Sequence, residues 1–145
     1  MQQTPQKLKV LFLCTGNSCR SQMAEGWARQ LKDQLIEPYS AGIEVHRLNP
    51  DAVKVMAEAG VDISRHRSKH VDELKDLPFD YVVTVCDDAH EKCPLFPGRV
   101  RRIHVSFEDP PRLARQAKSE QEALDCYRRV GDGIRRFVES LPNSL

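Results

Sequence analysis

The chain has 145 residues, 40% of them hydrophobic and 30% charged, the make-up of one ordinary globular domain with a real core, which excludes a disordered or low-complexity polypeptide. With 22 Lys and Arg against 21 Asp and Glu the formal net charge is +1, so no overall field favours nucleic acid or an anionic membrane, while a local site for a small anion stays open. No run approaches the roughly 20 apolar residues of a membrane span, residues 1–9 hold no apolar signal core, and five cysteines, an odd set, suit a reducing compartment, so a cytoplasmic protein is expected.

Residues 10–13 (VLFL) are uninterrupted hydrophobe, the pattern of a parallel strand buried on both faces, and the run delivers Cys14. A polar loop follows, Thr15-Gly16-Asn17-Ser18-Cys19-Arg20-Ser21, before Met23, Trp27, Leu31 and Leu35 recur at helical spacing. Gly16 and Asn17 tolerate positive φ, so successive N–H groups can face inward as a nest, and the helix N-terminus adds donors. A tetrahedral oxyanion fits such a site. Cys14 falls at its floor, where the same donors stabilise a thiolate and make it nucleophilic at neutral pH. Arg20 supplies a planar fork matched to two oxygens of the ion, and Ser21 either caps the helix or bonds the sulfur. Cys93 and Arg99 repeat the spacing and serve as a control: Pro94 and Pro97 remove N–H groups that a nest requires, and no helical pattern starts at Arg99.

Further along, residues 36–41 read as a second strand leading to Gly42. Asn49-Pro50 then starts a helix, with Asn49 as cap, Val53, Met56 and Ala57 on its apolar face and Gly60 as its stop. Residues 61–71 (VDISRHRSKHV) are polar and without a clear period. His66 and His70, four apart, suit a solvated face better than a metal pair, since no third ligand follows at a recognisable spacing. Residues 79–85 (FDYVVTV) form the clearest β-branched run and deliver Cys86 as the first strand delivers Cys14. Ligands of open parallel sheets bind outside the carboxyl ends of the strands, so the two thiols are expected at one edge. Asp87-Asp88 opens and Pro94 stops a short helix between Cys86 and Cys93. Residues 101–107 (RRIHVSF) read as another strand, with Glu108-Asp109-Pro110 at its end.

Ala123, Tyr127, Val130, Ile134, Phe137 and Leu141 mark an amphipathic C-terminal helix. Arg128, Arg129, Arg135 and Arg136 fall mostly off that stripe, interleaved with Asp125, Asp132 and Glu139, and read as a solvated face; Cys126 packs beside the stripe. Alternating strand and helix patterns predict an α/β fold with a mainly parallel sheet.

A thiolate in an oxyanion nest, with an arginine and a late aspartate, specifies nucleophilic displacement at a tetrahedral centre, with Asp109 able to protonate the departing oxygen. Asp109 has a plainer reading as a helix cap ahead of Pro110. Residues 14–25, CTGNSCRSQMAE, resemble the loop and first helix of the low-molecular-weight tyrosine phosphatase superfamily, and Asp109-Pro110 resembles its general-acid motif. The resemblance spans essentially the whole chain. It implies a single domain over residues 1–145, a four-stranded parallel sheet with helices on both faces in a flavodoxin-like three-layer sandwich, and an oxyanion cradle made by residues 15–21.

Two activities compete within that superfamily. A phosphatase needs one thiolate, Cys14, with Arg20 and Asp109, because water hydrolyses its phosphocysteine. Reducing arsenate takes two electrons from thiols and a second cysteine to attack the Cys14 adduct. Residues 84–94, TVCDDAHEKCP, resemble the redox segment of the thioredoxin-coupled arsenate reductases. That resemblance implies a Cys14 to Cys86 disulfide, then a Cys86 to Cys93 disulfide handed to a thioredoxin or similar thiol reductant; a monomer without cofactor is expected. The absence of aromatic residues in Pro111-Arg112-Leu113 and the small Thr15 at the loop's lip point to a small inorganic ion. Cys19 is expected to pack behind the nest.

Some of these reductases hold potassium near the loop through an aspartate after an S-x-H-x-S pattern. Here Ser64-Arg65-His66-Arg67-Ser68 is followed by Lys69, so an ammonium is expected in place of the cation, in a network with Asn17, Glu25 and Ser40 and no bound metal. A zinc module of Cys86, His90, Cys93 and His104 is the competing non-enzymatic reading; its C-x3-H-x2-C spacing is uncommon for zinc and leaves the Cys14 loop without a purpose.

Overall fold

The computed structural model describes residues 6–145; residues 1–5, part of the segment searched above for a signal core, lie outside the described residues. Strand β1 (Leu8–Cys14) is central because its sequence leaves no face for water. Val10, Leu11, Phe12 and Leu13 are fully buried, and since successive side chains point to opposite faces, the sheet is covered on both. Burying Phe12 alone stabilises the fold by roughly 1.5–3 kcal/mol. β1 pairs in parallel with β2 (Ile36–Gly42) on one side and with β3 (Tyr81–Thr84) on the other, and β4 (Arg101–His104) adds to β3. The expected four-stranded parallel sheet is thus formed, in the order β2-β1-β3-β4. The chain leaves β1 toward one side and resumes on the other, which puts a topological switch point between β1 and β3. Cys14 pairs with Gly42, and Leu13, Thr84 and His104 stand in one row, so Cys14 and Cys86 leave neighbouring strands at the same edge.

The helices are α1 (Arg20–Leu31), α2 (Pro50–Glu58), α3 (Asp87–Glu91), α4 (Pro110–Ala114) and α5 (Glu120–Glu139), with a single 3-10 turn at Val71–Glu73. α1 packs on β2 and α5, and α5 also packs on α2 and α4. α1 stops a turn short of Leu35, leaving Leu31 and Leu35 exposed at 39% and 51%. The cause is register: Ile36 must enter the sheet opposite Leu8, so the chain turns at Lys32, whose carbonyl accepts the N–H groups of Leu35 and Ile36.

α2 has the expected cap. Asn49 Oδ1 accepts from the N–H groups of Asp51 and Ala52 at 2.8 and 3.2 Å, and Gly60 ends the helix with φ +86°. Its buried face is Ala52, Val55 and Met56, however, while Ala57 is exposed. The helix is turned about its axis to lie on α5, where Asn49 Nδ2 donates to the Tyr127 hydroxyl at 3.0 Å. α5 buries Leu124, Tyr127, Val130, Ile134 and Val138 at steps of three and four, with Ala123 and Phe137 on its flanks and Leu141 buried beyond its end. Arg128 stands off that stripe and pairs with Glu58 of α2 at 2.9 Å and with Asp125. No helix of the described residues is long and apolar enough to cross a membrane.

Candidate active site

The loop between β1 and α1 turns its carbonyls outward. Ile43 N–H donates to Cys14 O at 3.1 Å, Glu44 N–H to Thr15 O at 2.8 Å, His46 N–H to Gly16 O at 2.9 Å and Asn49 N–H to Ser18 O at 2.9 Å. The Ser68 hydroxyl takes Asn17 O at 2.6 Å, and Met23 N–H takes Cys19 O at 2.9 Å. With every carbonyl held from behind, the N–H groups of residues 15–20 have no protein partner among the described residues and are left for a ligand. Asn17 has the expected positive φ, +50°, but Gly16 does not. Gly16 is glycine for another reason: a Cβ there would collide with the His46 ring. Gly42 lets β2 approach the loop just as closely, since a Cβ would lie 2.7 Å from the Asn17 nitrogen.

Cys14 Sγ lies 2.8 Å from Ser21 Oγ. Asn17 Oδ1 accepts from Gln22 Nε2 at 2.9 Å and from Lys69 N–H at 3.0 Å, which leaves Asn17 Nδ2 to donate to Ser21 Oγ at 2.8 Å. The Ser21 hydrogen is therefore free to point at the sulfur. Of its two expected roles Ser21 takes this one, for Cys19 holds the cap position of α1. Lys69 Nζ donates to the carbonyls of Ser40 and Arg67, both at 3.0 Å, and Ser40 Oγ donates to Glu25 Oε1 at 2.6 Å. The four expected support residues are gathered, but Lys69 reaches Asn17 by its backbone and Glu25 by way of Ser40. Burial pushes the Lys69 ammonium down in pKa, opposed by the Glu25 charge.

His66 departs from the solvated face expected of it. Val61 and Ile63 are buried and draw this stretch inward, so that His66 Nδ1 lies 3.0 Å from Gln22 Oε1 and 3.7 Å from Glu25, and burial lowers its pKa. His70 Nδ1 instead accepts from Asp72 N–H at 3.0 Å, so the two histidines have separate partners.

Arg20 is 14% exposed, with Nη1 donating to Phe107 O at 2.9 Å and Nη2 standing 3.6 Å from Asp109 Oδ1. Asp109 occupies the cap position of α4, yet its carboxylate accepts none of that helix's N–H groups. It turns toward Arg20 instead. Cys14, Arg20 and Asp109 share a cleft of about 260 Å³ with Thr15, Gly16, Ser18, Cys19, His46, Pro111 and Arg115. His46 and Arg115 carry no motif and reach the cleft from distant segments, so nothing in the residue pattern marks them. No Phe, Tyr or Trp is among these lining residues. Cys19 is buried, and desolvation first, then the neighbouring Cys14 charge, pushes its thiol far up in pKa.

Cys86 caps α3, its Sγ accepting from Ala89 N–H at 3.4 Å. Thr15 Oγ1 lies 3.3 Å from that sulfur and donates to Asp88 Oδ2 at 3.1 Å, joining the anion loop to α3. Cys93 follows the end of α3, half-buried, with its thiol pushed up in pKa by desolvation. All five cysteines are free thiols. His104 does not face the two cysteines as a zinc ligand would: its Nδ1 and Nε2 are taken by Thr84 Oγ1 at 2.8 Å and Asp87 Oδ1 at 2.9 Å, and its ring stacks on His90 at 4.3 Å.

The sequence model of the low molecular weight phosphotyrosine protein phosphatases matches residues 9–144. A Bacillus subtilis protein named arsenate reductase is 51% identical over 135 residues, which is 90% of this chain and 95% of that protein. A Bacillus licheniformis protein of the same name is 48% identical over 138 residues, 92% of this chain and 97% of that one. Among solved structures, one described as an arsenate reductase in the phosphate binding state superposes with a TM-score of 0.73 at 30% identity, covering 94% of this chain and 98% of the other.

Proposed function

The chain belongs to the low molecular weight phosphotyrosine protein phosphatase family, and from that membership we propose that this member reduces arsenate to arsenite through three cysteines. Cys14 attacks arsenate held by the N–H groups of the loop and by Arg20, while Asp109 protonates the departing oxygen, giving a Cys14 sulfur–arsenic bond and water. Cys86 then attacks the Cys14 sulfur. A disulfide forms, the sulfur–arsenic pair passes to arsenic, and arsenic leaves two electrons richer as arsenite. Cys93 next attacks the Cys86 sulfur, freeing the Cys14 thiolate, and a thioredoxin-like dithiol reduces the Cys86 to Cys93 disulfide.

One observation favours reduction over hydrolysis. The Cys86 sulfur sits 3.3 Å from Thr15 of the anion loop, with Cys93 at the other end of one short helix, an arrangement for which a phosphatase has no use. The absence of Phe, Tyr and Trp from the cleft lining agrees with a small ion. Hydrolysis of aryl phosphates by Cys14, Arg20 and Asp109 remains as a side activity, because the first displacement is the same. We read the protein as a monomeric, single-domain cytoplasmic enzyme without cofactor.

Single-cysteine variants, assayed separately for arsenate reduction and aryl-phosphate hydrolysis, test the scheme. Cys14→Ser is expected to lose both activities, while Cys86→Ser and Cys93→Ser lose arsenate turnover and keep hydrolysis. Multiple-turnover arsenate reduction by Cys86→Ser would refute the cascade.

A further inference from the structure

His104 ends β4 beside Thr84 and grips the redox segment on both flanks of Cys86. Its Nδ1 lies 2.8 Å from the hydroxyl of Thr84, two residues before Cys86, and its Nε2 lies 2.9 Å from the carboxylate of Asp87, one residue after. A carboxylate only accepts, so in the neutral ring Nε2 carries the hydrogen and Nδ1 accepts from Thr84. The ring is also a platform for α3, since His90, one turn along, stacks on it at 4.3 Å with the planes 26° apart. The His104 side chain is 26% exposed and that of Asp87 79%, so the contact with Asp87 lies at the surface, where it can be broken without unpacking the core.

Two demands on α3 conflict. Cys86 must be held beside the anion loop to attack the Cys14 sulfur, and later it must meet Cys93. From its N-cap Cys86 to its C-cap Lys92, α3 rises about 9 Å, and Cys93 lies beyond that, whereas a disulfide needs the two Cα atoms within about 7 Å. Whatever pins the start of α3 therefore serves the first exchange and resists the second.

Resting on the reductase reading, we propose that His104 is a positioning residue of the thiol cascade. Bonded to Thr84 and Asp87 it holds Cys86 at the Cys14 loop for the first disulfide exchange, and loss of the Asp87 contact is the event that frees α3 to unwind for the second. A latch of this kind leaves a signature that simple loss of stability does not, because removing it moves the two exchanges in opposite directions.

The test uses the full chain as wild type, His104→Ala and His104→Gln, with acid quench, alkylation of free thiols and mass spectrometry of the disulfides. In a Cys93→Ser background arsenate can yield only the Cys14 to Cys86 disulfide, which reads the first exchange. With Cys93 present, conversion to the Cys86 to Cys93 disulfide reads the second. His104→Ala is expected to slow the first exchange about threefold, the scale of one lost hydrogen bond to a solvent-exposed carboxylate, and to accelerate the second. His104→Gln, whose amide still donates to Asp87, restores most of the first rate. Faster hydrogen exchange in His104→Ala is expected at residues 86–92 and not across the sheet. An unchanged first exchange, or equal slowing of both, overturns the latch. Failure of the wild type to form any Cys14 to Cys86 disulfide from arsenate overturns the reductase reading instead, which keeps the two failures apart.

Discussion

The Ser21 hydroxyl has a single hydrogen, and Asn17 decides where it goes. Two donors occupy Asn17 Oδ1, so its amide must donate to Ser21, and Ser21 in turn can serve the sulfur. Little of that logic is visible in the sequence, which supplies the residue types but not the direction of each bond. Asn17 was legible because positive φ has a short list of tolerant residues; Gly16 was not, because its reason lies in His46, thirty positions away. Asp109 belongs to the same scale. Its carboxylate makes no cap bond and faces Arg20, so Asp109→Asn is expected to lower turnover by roughly 10²–10⁴-fold while anion binding is largely kept. Steady-state kinetics at a temperature where both proteins are folded check this, and unchanged turnover would leave only a helix-end role. Lys69 puts an ammonium on two carbonyls, the company a bound cation keeps. Turnover and melting temperature should therefore be the same in potassium and sodium at equal ionic strength; a gain specific to potassium would show that the ammonium does not replace the ion.

Elements were legible where local chemistry sets them and less so where packing does. The cap of α2, the stop at Gly60 and the short helix after Cys86 follow from Asn49-Pro50, a glycine and Asp87-Asp88. The buried face of α2 and the end of α1 do not, since the first is set by contact with α5 and the second by the pairing of Ile36 with Leu8. α3 runs Asp87–Glu91, and so short a helix is marginal without tertiary support. If Cys86 and Cys93 are to join, it must unwind. Hydrogen exchange should show protected amides from 89 to 92 in the reduced protein and loss of that protection in the Cys86 to Cys93 oxidised form. Equal protection in both would mean that the reductant enters the cleft rather than meeting a disulfide carried outward.

At the scale of the molecule, the strand order places Cys14 and Cys86 at one switch point, and the sequence showed this as two hydrophobic runs each ending in cysteine. The walls of the cleft were less visible, because His46 and Arg115 arrive from segments joined only by the fold. Inorganic phosphate is expected to stabilise the whole chain by about 2.7 kcal/mol at a hundredfold excess over its dissociation constant. Arg20→Lys should lose most of that stabilisation while Cys14→Ser keeps it; equal losses in both, read by urea unfolding with and without phosphate, would place the anion elsewhere. The anion loop is wired to residues 43–49 and to Ser68 behind it, and among the described residues it meets α3 by hydrogen bond only through the Thr15 side chain. On the reductase reading, residues 84–94 together with a threonine at the first loop position and a histidine at position 104 make the smallest graft by which a hydrolase of this fold should acquire thiol redox chemistry.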